Sequence, residues 1–148
     1  MQNLLKNIKV TRVMSAVAAG TTSQNGSTLD MSGWDGVLFI AALGTLTATQ
    51  VTGLKAQQGN ASNLSDAADL INTAVGPLAD GDSNKCLALD IYRPLERYVR
   101  CVVTRGTANA VIDGVIAIQY RGRKAPVVQD TTTIAANESH VSPIEGTA

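Results

Sequence analysis

Apolar and polar residues alternate with a period of two in short runs bounded by Gly, Asn, Asp and Ser, the signature of β-strands joined by turns. Residues 9–17 predict a first strand, with Val10, Arg12, Met14 and Ala16 on one side and Thr11, Val13 and Ser15 on the other. Residues 20–26 read as a loop in which Asn25-Gly26 predicts a positive-φ turn, and residues 28–31 as a short strand. After a turn at residues 33–36, the run GVLFIAAL (36–43) is apolar on both alternating faces: Val37, Phe39 and Ala41 against Leu38, Ile40 and Ala42. That pattern predicts a strand covered on both sides. Residues 51–58 predict a more polar strand. Residues 63–71 predict two helical turns capped by Asn63 or Ser65, stopped by Gly76-Pro77, and residues 79–84 a solvent loop.

The second half is more regular. Residues 85–92 alternate Leu87, Leu89 and Ile91 against Cys86, Ala88 and Asp90; Pro94 marks a turn. Residues 98–104 place Val99, Cys101 and Val103 on one face, and residues 105–109 read as a hairpin loop. Residues 110–120 predict the longest strand, with Ile112, Ile116, Ile118 and Tyr120 on one side. Consecutive strands with short connections predict an all-β fold, an antiparallel barrel or a sandwich. Residues 1–8 and 125–148 lack core periodicity and read as arms flanking a β domain over residues 9–124, ordering against a partner if at all.

Composition narrows the function classes. The 148 residues are 45% hydrophobic and 16% charged, enough apolar content for a core built mainly from Val, Ile, Leu and Ala, since the aromatics number one Trp, three Tyr and one Phe. Twelve basic and twelve acidic residues balance, unlike a general nucleic-acid binder. No apolar run approaches the ~18 residues of a membrane helix. Lys6, Asn7 and Lys9 interrupt the apolar start, so no secretory leader is read, and Cys86 and Cys101 are expected as two reduced, buried thiols in a protein made in a reducing cytosol.

Charge is segregated along the chain. Residues 55–92 carry Lys55 and Lys85 against Asp66, Asp69, Asp80, Asp82 and Asp90. Residues 93–124 carry Arg93, Arg97, Arg100, Arg105, Arg121, Arg123 and Lys124 against Glu96 and Asp113, and the tail beyond Lys124 carries Asp130, Glu138 and Glu145. Such separation suits docking to an oppositely patterned surface, and equally suits plain solubility. The stretch DIYRPLERYVR (90–100) is either locked internally, Asp90 or Glu96 holding Arg93 or Arg97, or presents its Arg forks and Tyr rings to a partner.

Catalytic chemistry finds little footing. His140, the single histidine, lies in the predicted tail, away from any rigid nucleophile. One His and two separated Cys do not make a zinc site. Asp80 and Asp82 faintly resemble a calcium loop, but Ile91 stands where the twelfth-position Glu belongs. Phosphate-cradling glycine motifs are lacking. Tyr120 with Arg121, Arg123 and Lys124 suits loose phosphate contact or ordinary surface punctuation, and no specific nucleic acid is expected. Neither a cofactor nor enzymatic activity is expected.

Residues 36–59 (GVLFIAALGTLTATQVTGLKAQQG), residues 90–126, and the ending HVSPIEGTA resemble a family of small tailed-bacteriophage proteins regarded as capsid cement, or decoration, proteins. The RYVR segment and the VSPxEGTA-like terminus carry the likeness best. The resemblance implies a β-barrel or jelly-roll-like sandwich with extended arms that is made in the host bacterial cytoplasm. Such a protein binds the outside of an icosahedral shell, clamps neighbouring major capsid protein subunits and self-associates as a dimer or trimer at a symmetry axis. The contact residues expected on this view are Leu4, Leu5, Lys6 and Ile8 of the N-terminal arm and Tyr92, Arg93, Arg97 and Tyr98 of the Arg/Tyr turn. Arg121 and Arg123 join them, with Val127, Val141 and Ile144 of the tail. The alternatives are a head–tail connector or tail-tube component, and a carbohydrate-binding sandwich using Trp34 as its platform.

Overall fold

The structure, a computed structural model, describes residues 3–142 and 144–147; Met1 and Gln2 of the predicted arm and Pro143 and Ala148 of the predicted tail lie outside the described residues. A short 3-10 turn (Leu4–Lys6) leads into β1 (Lys9–Met14), β2 (Val17–Gly20), β3 (Gln24–Asn25), β4 (Leu29–Asp30) and β5 (Gly36–Leu46). Then follow β6 (Gly53–Gly59), β7 (Ala68–Asp69), β8 (Cys86–Tyr92), β9 (Tyr98–Thr104) and β10 (Ala110–Tyr120). One sheet runs β1-β10-β5-β8, with β2 also on β10; the other runs β3-β9-β6-β7, with β4 also on β9. All these pairs are antiparallel. The two sheets pack face to face as a sandwich and do not close into a barrel, so of the two expected all-β architectures the sandwich is the one adopted.

The layer between the sheets is apolar and mainly aliphatic. The first sheet contributes Val37, Phe39, Ala41 and Leu43 from β5 with Ile112, Val115 and Ala117 from β10; the second contributes Leu54, Ala56, Val99, Cys101 and Val103. Leu87, Leu89 and Ile91 of β8 face the same core. These positions follow the period of two, as expected for β8 and β9.

In β10 the predicted facing is corrected. Ile112 points into the core, whereas Ile116, Ile118 and Tyr120 lie on the opposite side of the sheet, and Val115, Ala117 and Gln119 are the buried set. The pairing with β5 shifts register between Ile112 and Gly114, where Gly114 takes φ +148°, so the extra residue of a β-bulge reverses the parity of everything after it.

A second correction concerns β5. Its inner residues are fully buried, but Leu38, Ile40 and Ala42 on the outer face of the first sheet are only half-covered. Cys86 is on that outer face, opposite Ala42, and is exposed; of the two thiols expected to be buried, only Cys101 is. Burial pushes the Cys101 thiol pKa up to about 12, and it stays protonated.

The remaining differences are local. The first predicted strand breaks at Ser15-Ala16 into β1 and β2. Neither Asn25 nor Gly26 has positive φ; Gly26 instead lets the chain pass close to Cys101, whose carbonyl accepts its N–H at 2.8 Å. The two helical turns do not form. Leu64 is buried with φ 52°, and the Asp66 carboxylate accepts the N–H groups of Asn60 (2.8 Å) and Ala61, bonds that fold residues 60–66 into turns leading to β7. Those N–H donors hold the Asp66 carboxyl below its usual pKa range.

The arms are tied to each other where they meet the domain. The buried Gln129 side chain donates to the carbonyls of Leu5 (2.9 Å) and Ile8 (2.8 Å) and accepts the N–H of Val10 (2.9 Å), and the Val127 N–H donates to Lys6 O (2.8 Å). At the opposite end of the sandwich, buried Arg105 is satisfied by carbonyls alone, those of Thr22, Ala18 and Ala110 at 2.8–2.9 Å.

The inside/outside distinction along β5 is measurable. Phe39→Ala should cost about 3–5 kcal/mol of unfolding free energy, and Leu38→Ala less than about 1.5 kcal/mol, in urea titrations at low protein concentration.

A candidate docking end

Antiparallel pairing brings the ends of five strands together at one end of the sandwich. The end of β10 lies beside the start of β5 (Tyr120 opposite Gly36), the end of β8 beside that same start (Tyr92 opposite Gly36), and the start of β9 beside β4 (Tyr98 opposite Asp30). Backbone bonds knit the connections: Arg93 N–H to Asp35 O (2.7 Å), Arg123 N–H to Gly33 O (2.9 Å) and Met31 N–H to Arg97 O (2.8 Å). Arg93, Arg97, Arg121, Arg123 and Lys124 thus share one end with Asp30, Asp35 and Glu96. A surface cleft of about 530 Å³ opens there, lined by Trp34, Arg93, Leu95, Arg97 and Arg123 among others.

The cations are held in different ways. Arg97 makes a two-pronged contact with Asp30, Nε to Oδ1 at 3.0 Å and a terminal nitrogen to Oδ2 at 2.7 Å. The Arg/Tyr turn is therefore locked, but from β4 and not by Asp90 or Glu96 as the sequence offered. That hydrogen bond lowers the Asp30 pKa below 3.8 and raises that of Arg97. Both side chains are about half-exposed, so solvent screens the pair and it adds little to stability. Arg121 approaches Asp35 at 3.5 Å and donates to the Tyr92 hydroxyl at 3.3 Å. The guanidinium groups of Arg93 and Arg121 lie 5.2 and 5.8 Å from the Tyr92 ring centre, and that of Arg97 lies 5.2 Å from the Tyr98 ring. Among the described residues, Arg93 and Arg123 have no carboxylate within ion-pair distance.

Two aromatic rings brace this end. Tyr120 lies across Gly36 and its hydroxyl donates to Asp90 Oδ1 at 2.7 Å, linking β10 to β8 over β5. Burial first, and Asp90 second, push the Tyr120 pKa up to about 12. Trp34 rests on Gly122, packs against the core and is half-buried, a structural wedge more than a free stacking platform.

Most of the contact residues expected from the sequence converge here. Tyr92, Arg93, Arg97, Arg121 and Arg123 surround the end, with Tyr98 half-buried behind Arg97. The N-terminal arm reaches the same end, where Leu4 (59% exposed) shares a groove of about 290 Å³ with Arg121 and Lys124. Lys6 is exposed, Leu5 half-buried, and Val127 half-buried against the arm. Ile8 is buried and so anchors the arm; it presents no contact surface. Val141 and Ile144 are exposed in the tail. Asp30 at the end of β4 and Asp35 before β5 complete the end and were not among the expected contacts, since isolated carboxylates carry no sequence signal; Trp34, which the sequence offered only as a sugar platform, sits beside them.

Among the described residues no three His, Cys, Asp or Glu side chains group as metal ligands, and no helix is long and apolar enough to cross a membrane. His140 meets only the exposed Glu138, at 2.8 Å. The chain matches no protein-family model, no curated protein and no solved structure.

The Tyr120–Asp90 link has a pH signature. Tyr120 keeps its proton in the fold to about pH 12, whereas an unfolded tyrosine loses it near pH 10. The contribution is thus complete below pH ~10 and lost as pH rises toward ~12. The ultraviolet titration difference between the wild type and Tyr120→Phe should show this phenol ionising near pH 12, and Asp90→Asn should lower that value only part of the way, because burial remains.

Proposed function

We propose that this chain is a non-enzymatic virion structural protein that binds the outer surface of an icosahedral bacteriophage capsid and stabilises it by clamping neighbouring major capsid protein subunits. The observation that carries this reading is the docking end, where five cations gather beside the N-terminal arm and two guanidinium forks, Arg93 and Arg123, are left without carboxylates among the described residues. Planar guanidinium forks pair bidentately with carboxylates, so an acidic protein surface is the fitting target. The likeness of residues 36–59, 90–126 and 140–148 to capsid cement proteins supports the same reading. A shell is strengthened by many modest contacts repeated over its surface, which asks for exposed charge and reaching arms and for no catalytic group.

Capsids stripped of this protein should rupture at a lower temperature and recover when it is added back. The pair Arg93→Glu and Arg123→Glu, made together on the exposed end, should weaken capsid binding at least about tenfold with the fold unchanged by circular dichroism. Rupture that ignores the protein, or binding that ignores the reversal, contradicts the proposal.

A further inference from the structure

The two arms meet at the start of β1, and each is held there by the other. The 3-10 turn at Leu4–Lys6 buries no side chain and bonds to itself: the Asn7 N–H reaches Leu4 O at 2.9 Å, and the Asn7 side chain donates to Asn3 O at 2.7 Å. That leaves the carbonyls of Leu5 and Lys6, which so short a turn cannot satisfy from within. The tail takes both, Leu5 O through the Gln129 side chain at 2.9 Å and Lys6 O through the Val127 N–H at 2.8 Å. The dependence also runs the other way. Among the described residues, every hydrogen bond that leaves residues 125–147 ends on residues 5–10. Val127 is half-buried and Val128 is exposed, so Gln129 is the one buried side chain of the strap at residues 127–130.

We infer that these segments form a two-arm latch with Gln129 as its pin, so that the arms close together and open together. The Gln129 amide accepts the Val10 N–H and donates to Ile8 O, the pair of bonds that a peptide group of a neighbouring strand makes to a sheet edge. The same nitrogen reaches across to Leu5 O. One side chain thus caps the edge of β1 and ties down the turn. Withdrawing it leaves Val10 N–H, Ile8 O and Leu5 O without their partner at a stroke, a cost that keeps the latch shut. The one remaining tie, Val127 to Lys6, then joins a turn and a strap that bury no other side chain. Opening also takes Leu4 out of the groove it shares with Arg121 and Lys124, so the state of the tail decides whether the docking end carries its apolar arm. That last consequence rests on the docking reading; the latch itself does not, and its test needs no capsid.

Amide hydrogen exchange, read at Asn7 for the turn and at Val127 for the strap, tests the coupling, because neither amide bonds to Gln129. In the full chain Gln129→Ala should speed exchange at both by at least about tenfold, with Phe39 and Val103 in the core unchanged. Gln129→Met, which keeps the bulk and loses the bonds, should do the same. Removing residues 127–148 should free Asn7. Removing residues 1–4 should free Val127 although its acceptor Lys6 remains, since a coupling acts equally in both directions. Removing only residues 137–148 should change neither. Asn7 that stays protected in either Gln129 variant or without residues 127–148 overturns the inference, as does Val127 that stays protected without residues 1–4. Acceleration shared equally by Phe39 and Val103 also overturns it, because the loss would then belong to the whole sandwich and not to a latch.

Discussion

The molecule depends on the apolar layer between its two sheets, and on the fact that a sandwich has only one such layer. Each strand has two faces, and the core accepts one. Val37, Phe39 and Leu43 on one side and Leu54, Val99 and Val103 on the other are almost completely removed from water, and each contributes roughly 1.5–3 kcal/mol of transfer free energy. With only five aromatic residues in the chain, this layer has to be assembled from many aliphatic side chains in strict register. The bulge at Gly114 shows how tightly that register is governed. One extra residue moves Ile112 and Val115 both into the core and turns Ile116 and Ile118 out of it.

What the core cannot hold is sorted to the ends and the outer face. At one end the turn between β8 and β9 and the segment after β10 deliver arginines into a shared solvent-facing cluster, where they find Asp30, Asp35 and Tyr rings at close to no desolvation cost. At the other end Arg105 is drawn inside and satisfied by three backbone carbonyls, so the most buried arginine is a clasp between β10 and the β2–β3 segment. Two residues of one type therefore do opposite work according to whether the local backbone offers carbonyls or water. The arms obey the same logic: Ile8 and Gln129 are inside and fix the attachment, while Leu4, Val141 and Ile144 are left on the surface.

Much of the strand layout was legible in the chain because period-two alternation and turn residues are local signals. The bounds of β9 and β10 and the buried faces of β8 and β9 follow from them directly. Parity after a bulge is not local, since Gly114 reads as any strand glycine until its φ is known. The helical turns at residues 63–71 failed because Asp66 bonds backward to Asn60 and Ala61, a tertiary choice that capping preferences do not anticipate. The double-faced run GVLFIAAL was visible, but whether its second face is covered from within the chain or from outside is a property of the whole topology. The Arg/Tyr turn was legible as a charged patch; its true partner, Asp30, is sixty-seven residues away in sequence and emerges only from the pairing of β4 with β9.

Under the proposed function the chain is an adhesive element, an aliphatic sandwich acting through the surfaces its core excludes. Imaging the parent virus particle with and without the chain tests that most directly. The expected result is added density repeated over the outer capsid surface, with the arginine-bearing end of each sandwich turned toward the shell. Density confined to a single vertex, or particles identical in the two preparations, would contradict it.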